Sequence, residues 1–287
     1  MFIPIEVVFG FGAMASYGLA DFLAKNVVED YGPIRALKRT LFIGTFAVFA
    51  YSIFFVSIPT TFMNGLVFGL LAGFAGAVGW GSFYKALGQG RVSVVSPIAS
   101  SWGIVTFVLA LIVLSEKITF TQIVLSLTIF LGVFLVSLNW KEVVTAFSKR
   151  LESGAALALL AMVSFGVYGV LAKFVVDAMG VFYTVVFTRM VTLAFLFLIP
   201  SEPIKKGKTD SLFFLLVIVG FLDVLGFLSF NAGLSVGLVS IVSAVTSAAP
   251  LVAVILAHMF LKERLHLYQY AGMLLIIVGF VGLALLS

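Results

Sequence analysis

Two charged residues stand where their surroundings offer them least. Asp223 lies inside "GFLDVLGFLSFNAG" (220–233) and Arg189 inside "VFYTVVFTRM" (181–190), both otherwise almost wholly apolar. A carboxylate in such a setting can carry a proton or hold a substrate ammonium group. A guanidinium can pair with that carboxylate or bind a substrate carboxylate. Arg39, in "YGPIRALKRT" (31–40), is the rough counterpart of Arg189 and fits an interfacial anchor equally well. Asp21 and Lys25, four residues apart, read as a local ion pair. Beyond Asp223 the same stripe carries Phe227, Phe230 and then Asn231, and a second run carries Trp80, Phe83 and Tyr84. Aromatic faces with a few polar groups suit a small amphipathic ligand, although each ring alone also suits helix packing. Ser93, Ser96 and Ser100 share a helical face, as do Ser240, Ser243 and Ser247. Such rows line a polar path or bond to neighbouring helices. Pro97 and Pro250 each remove a backbone donor and are candidate hinges.

Composition dictates the frame that must position these groups. The chain is 62% hydrophobic and 10% charged over 287 residues, with a mean hydropathy of +1.25. Soluble domains sit near ~45–50% apolar and ~25% charged, so this is an integral membrane protein. Cysteine is absent, which removes disulfides and cysteine-based metal sites. The net charge of +5 resides in short connections rather than on one face, as suits lipid headgroups and not nucleic acid. No metal-ligand cluster, phosphate loop or dinucleotide fingerprint is present, so neither metal nor cofactor is expected. "GLSVG" (233–237) matches the nucleophile-elbow pattern but lacks the strand-to-helix turn and the triad, so the chain does not read as an enzyme. The segment from Phe2 to Lys25 has no basic leader region and reads as a retained span.

A membrane helix needs about 20 apolar residues. Ten such spans are expected, at 3–27, 33–57, 62–86, 92–114, 118–139, 154–177, 181–199, 211–234, 238–261 and 266–286. The runs are too long and too uniformly apolar for barrel strands, which makes the fold all-α and multi-pass in the cell membrane. Connections after odd-numbered spans hold most of the basic residues, and those after even-numbered spans hold only Lys117 and Lys173. The positive-inside rule then puts both termini outside. Arg35, Lys38 and Arg39 qualify that count, because they can lie within the second span.

The chain also repeats itself. At a shift of 147 residues, "GRVSVVSPIASS" (90–101) falls on "GLVSIVSAVTSA" (237–248), Glu116 on Glu263, Gln122 on Gln269 and Gly132 on Gly279. At a shift of 148, "SYGLADFLAK" (16–25) falls on "SFGVYGVLAK" (164–173). Each copy carries five spans, 1–140 and 141–287, and because five is odd the second copy crosses the membrane in the opposite sense. Inverted repeats of this kind are common among secondary transporters. "GFLDVLG" (220–226) aligns with "GFAGAVG" (73–79), so Asp223 stands where the first copy has Gly76. Gly220, Asp223 and Gly226 share one stripe, which turns the carboxylate into the bundle.

Ten helices in two inverted halves, the charged turns "SEKIT" (115–119) and "KERLH" (262–266), and the Pro-then-Arg start of the second span in "YGPIRALKRT" together resemble the drug/metabolite transporter superfamily, specifically its EamA-type members. "VFYTVVFTRM" looks like the counterpart of that start without its proline. The resemblance implies a gradient-driven carrier, often an exporter, for amino acids, related small metabolites or toxic compounds. It also implies cytoplasmic termini, opposite to the basic-residue count. The reading is thus a secondary active transporter for a small-molecule substrate, working by alternating access with the proton as candidate coupling ion. Its rivals are a channel and a lipid flippase.

Overall fold

Glycine fixes where the first helix stops. The computed structural model describes residues 3–89, 92–138, 153–201, 209–262 and 264–286. Within them α1 (Ile5–Tyr31) ends at Gly32, whose φ of 76° favours a residue without Cβ, and Pro33 begins α2 (Pro33–Phe55) at a position needing no backbone donor. Gly180, 148 residues further on (180 − 32), has φ 72°. There Val181 replaces the proline, and the helix α7 (Ser153–Phe197) continues across the bend in two limbs, 153–179 and 181–197. The remaining helices are α3 (Leu66–Gln89), α4 (Val92–Ser100), α5 (Trp102–Val113), α6 (Phe120–Ser137), α8 (Thr209–Val236), α9 (Val239–Thr246), α10 (Ala249–Leu261) and α11 (Leu267–Leu286).

Among the described residues nine helical stretches are long and apolar enough to cross a membrane, and one of them, 44 residues long, is α7 with its bend. Counting the two limbs of α7 separately gives the ten spans expected. Every regular element described is helical. The large apolar residues that remain exposed, such as Phe54 (79%), Phe120 (80%) and Leu267 (85%), face outward where lipid would lie. Lys25 and Ser93 at their side chains, the residues Gly90 and Glu263, and the basic connections at 139–152 and 202–208 lie outside the described residues.

The two halves meet through contacts that come in repeat-related pairs. A Cβ on Gly18 of α1 would press on Val252 and the Ala249 carbonyl of α10, and one on Gly166 of α7 would press on Val105 and the Trp102 carbonyl of α5. Gly226 of α8 lies under the Tyr17 ring, and Gly79 of α3 lies under the Phe165 ring. Gly220 faces Ile43 and the Thr40 carbonyl, whereas Gly73 faces Val191 and the Thr188 carbonyl. Gly132 and Gly279 close the α6–α11 pair against the carbonyls of Gly272 and Leu125. Each partner set maps onto the other at a shift of 147 or 148, so the contacts are reciprocal across a two-fold relation. Glycine serves here because the backbones approach too closely for any side chain.

The short turns repeat as well. Ser115 (φ 53°) and Lys262 (φ 55°) adopt the same left-handed conformation 147 residues apart. Thr119 and Gln122 form a capping box at the start of α6, and Gln269 accepts from the His266 backbone at the start of α11. The fourth and ninth spans both break, at Ser101 and at Ser247–Ala248, and Ser101 matches Ala248 at a shift of 147. The prolines sit on opposite sides of these breaks. Pro97 lies inside α4, one turn before the break, whereas Pro250 lies in the first turn of α10, just after it, where its missing donor costs nothing. Ser101 and Ser247 hold the bends by donating to the Pro97 and Ala244 carbonyls at 2.8 Å.

Candidate functional site

Asp223 and Arg189 meet. The second limb of α7 carries Arg189 and α8 carries Asp223, and Nη2 lies 2.7 Å from Oδ2, with the side chains 2% and 17% exposed. The guanidinium is held on three further sides. Its Nε donates to Thr45 Oγ1 of α2 at 3.2 Å. Its plane lies over the Phe227 ring at 4.7 Å. Gly44 of α2 leaves room beside Nη2, since a Cβ there would stand 3.2 Å away. The pair belongs to the second copy, and the residues that make space for it belong to the first.

The contact is an ion pair rather than an in-line hydrogen bond. Among the described residues, Nη1 and Nη2 of Arg189 and Oδ2 of Asp223 are buried with no hydrogen-bond partner. Two buried opposite charges attract strongly but also need their remaining donors and acceptors answered. Here they are not all answered. A buried cationic fork with an unfilled donor can receive an oxygen from a ligand.

Aromatic and hydroxyl groups surround the pair. Tyr17 and Tyr168 both meet the Phe227 ring edge-on, at 5.5 and 5.9 Å. Tyr168 Oη stands 3.4 Å from Thr188 Oγ1. Phe230, 2% exposed, packs edge-on to Trp102 at 5.9 Å. Asn231 is fully buried; its Nδ2 donates to the Phe227 carbonyl at 2.8 Å, while Oδ1 has no partner among the described residues.

Other residues singled out from sequence lie elsewhere. Arg39 stacks its guanidinium 4.5 Å over the Tyr31 ring of α1. Nor does the contact register make Arg39 the counterpart of Arg189: at the shift of 148 that maps Thr40 on Thr188, Arg189 answers Leu41 (189 − 148). Both members of the ion pair therefore have apolar counterparts, Leu41 and Gly76. Lys38 ties α2 to the end of α7 by donating to the Ile199 carbonyl and to Ser201 Oγ. Trp80, Phe83 and Tyr84 form a separate aromatic group, with Trp80 packed edge-on to Phe165 at 5.1 Å and stacked on Tyr84 at 5.9 Å. Ser96 is half-buried on α4. Ser243 is fully buried and bonds back to the Ser240 carbonyl at 3.0 Å.

Glu116 acquires a role that its spacing did not announce. Its carboxylate accepts from the backbone of Val239 at 2.6 Å and of Ser240 at 3.0 Å, at the first turn of α9. An anion at a helix N-terminus answers both its open donors and its dipole. First-copy Glu116 thus closes on the broken span of the second copy. Tyr17, Thr45 and Tyr168 were likewise not singled out from sequence, because each matters only through the helix that crosses it.

A model of the EamA-like transporter family matches residues 4–138 and 152–285. An uncharacterized transporter from Archaeoglobus fulgidus is 23% identical over 282 residues, covering 98% of both chains. A solved crystal structure aligns over 99% of both chains with a TM-score of 0.76 at 17% identity, a likeness of fold.

Proposed function

The chain belongs to the EamA-like transporter family, and from that premise we propose that it is a secondary active transporter exporting amino acids or related small metabolites by alternating access, with the proton as coupling ion. The family is one of multi-pass membrane transporters and not an enzyme class. The observation that carries the proposal is the Arg189–Asp223 pair, buried between α2, α7 and α8 with donors left open. Ionisable groups inside a membrane are costly, about 2.5–3.5 kcal/mol each on insertion scales, and characteristically mark substrate or proton paths.

The architecture supports the same reading. Two half-bundles related by reciprocal glycine contacts can rock about a shared interface, exposing a site alternately to either side. Spans broken at matching positions, Ser101 and Ala248, give each half a place to bend. In this account a proton or substrate competes with Arg189 for Asp223, and the carboxylate changes partner as the halves rock. The test is counterflow in proteoliposomes with an amino-acid library: internal unlabelled substrate should stimulate uptake of external label. Flux that neither saturates nor responds to internal substrate would favour a channel, and scrambling of labelled phospholipid without solute counterflow would favour a flippase.

A further inference from the structure

One face of α3 stays open where the matching face of α8 is filled. Ala77, Gly81, Lys85 and Gln89 stand at every fourth position of α3 and drift only about 40° per step, so they form one stripe. At the shift of 147 the second copy answers them with Val224, Leu228, Ala232 and Val236. Val224 and Leu228 belong to one packed cluster with Val48 and Phe49 of α2 and Val185 of α7. The smaller Ala77 and Gly81 instead help to floor a groove of about 730 Å³ between α3 and α7, a volume within the ~300–1,000 Å³ of small-ligand sites. Where the second copy ends the stripe in apolar residues, the first ends it in Lys85 and Gln89, both exposed and both lining the same groove.

Shape, length and charge together select the occupant. Phe74 of α3 and Phe195 of α7 meet edge-on at 5.2 Å along the wall, and both remain exposed on the surface that lipid would cover. The groove therefore opens sideways into the bilayer. From Ala77 to Gln89 the stripe climbs about 18 Å at ~1.5 Å per residue, close to the depth of one leaflet in a bilayer ~40–45 Å thick. None of its described lining residues is acidic, and Lys85 has no ion-pair partner among the described residues. A second cation, Lys38, stands at the wall, where it donates to the carbonyl of the lining residue Ile199. Neither Arg189 nor Asp223 lines the groove. Basic pockets between membrane helices suit phosphate headgroups. We propose that this groove binds an anionic phospholipid from the surrounding leaflet, with one acyl chain along Ala77 and Gly81 and the phosphate held by Lys85 and Gln89. The lipid is a companion of the transport site and not its cargo, so the proposal does not depend on which substrate is carried.

Native mass spectrometry of the purified full chain, titrated with dioleoyl lipids, tests each part. Wild type is expected to bind phosphatidylglycerol about 10- to 100-fold more tightly than phosphatidylcholine, the scale of one charge-assisted hydrogen bond. Lys85→Ala, which installs the second copy's residue, should abolish that preference, and Lys85→Arg should keep it. Lys117→Ala, an exposed lysine outside the groove, should change nothing. Gly81→Leu, again the second copy's residue, should weaken both lipids by filling the floor. Its Cβ would stand 3.1 Å from Ile199 Cδ1, the movable tip of a side chain, so the fold should survive. Equal binding of the two lipids to wild type overturns the proposal, as does a preference that Lys85→Ala retains or that Lys117→Ala removes equally. Phosphatidylglycerol binding undiminished in a folded Gly81→Leu protein overturns the acyl-chain placement. Oleate bound more tightly than phosphatidylglycerol, and lost in Lys85→Ala, would make the occupant a free fatty acid and overturn the phospholipid. Counterflow is measured separately, so failure here leaves the transport reading standing.

Discussion

Replacing Arg189 with methionine is expected to destabilise the folded protein by about 3–5 kcal/mol, the scale found when one partner of a buried ion pair is removed. The loss comes less from the attraction forfeited than from what is left behind. Asp223, 17% exposed, would be left in the apolar interior without its counter-charge. Thr45 and the Phe227 face would also lose their partner. The double variant Arg189→Met with Asp223→Leu should recover most of the stability, because an apolar pair of similar volume can replace a buried ion pair at little cost. Arg189→Lys should fall between: it keeps a charge but loses the planar fork that reaches Asp223 and Thr45 together. Reversible unfolding in lipid nanodiscs measures all three. Single and double variants of equal stability would show that the pair carries no structural load.

The second large effect is expected at Gly44. A Cβ there would stand 2.5 Å from the Gly220 carbonyl and 3.3 Å from Val224 Cβ, as well as 3.2 Å from Arg189 Nη2. The α2–α8 crossing therefore admits nothing larger than hydrogen. Gly44→Leu should cost at least the ~1–3 kcal/mol typical of overpacking and push α2 and the guanidinium apart, so transport should fall with stability. Phe42, 56% exposed on the outer face of the same helix, supplies the control, and Phe42→Leu should be neutral in both assays. At the repeat-related crossing Gly44 answers Thr192, which fits its hydroxyl to the Gly73 carbonyl at 2.9 Å. The two crossings have thus diverged, and the tighter one lies beside the ion pair. A Gly44→Leu protein with normal stability and transport would contradict this account of the crossing.

Much of this was legible in the sequence because membrane burial leaves periodic traces. Runs of apolar residues gave the spans, and the shift of 147 gave the second copy. The glycines flanking Asp223 pointed to a face that meets other helices, and the structure assigns them partners: Gly220 meets α2 and Gly226 meets Tyr17. What stayed hidden depends on which helix crosses which. Arg39 resembles Arg189 in its local motif, but the contacts set the register two residues away, at Leu41. The prolines suggested bends, and the breaks lie about a turn or less from them, at repeat-matched positions beside which Ser101 and Ser247 take up a carbonyl of the preceding turn. The Asp21–Lys25 pair that the spacing suggests involves a side chain, that of Lys25, outside the described residues.

The central claim is that Asp223 couples an ion gradient to substrate movement. It is tested most directly by pH-gradient-driven accumulation in proteoliposomes, comparing wild type with Asp223→Asn at matched protein content and verified fold. The account predicts that wild type accumulates substrate above its equilibrium level and that Asp223→Asn, although folded, does not. Undiminished gradient-driven accumulation by Asp223→Asn would contradict it.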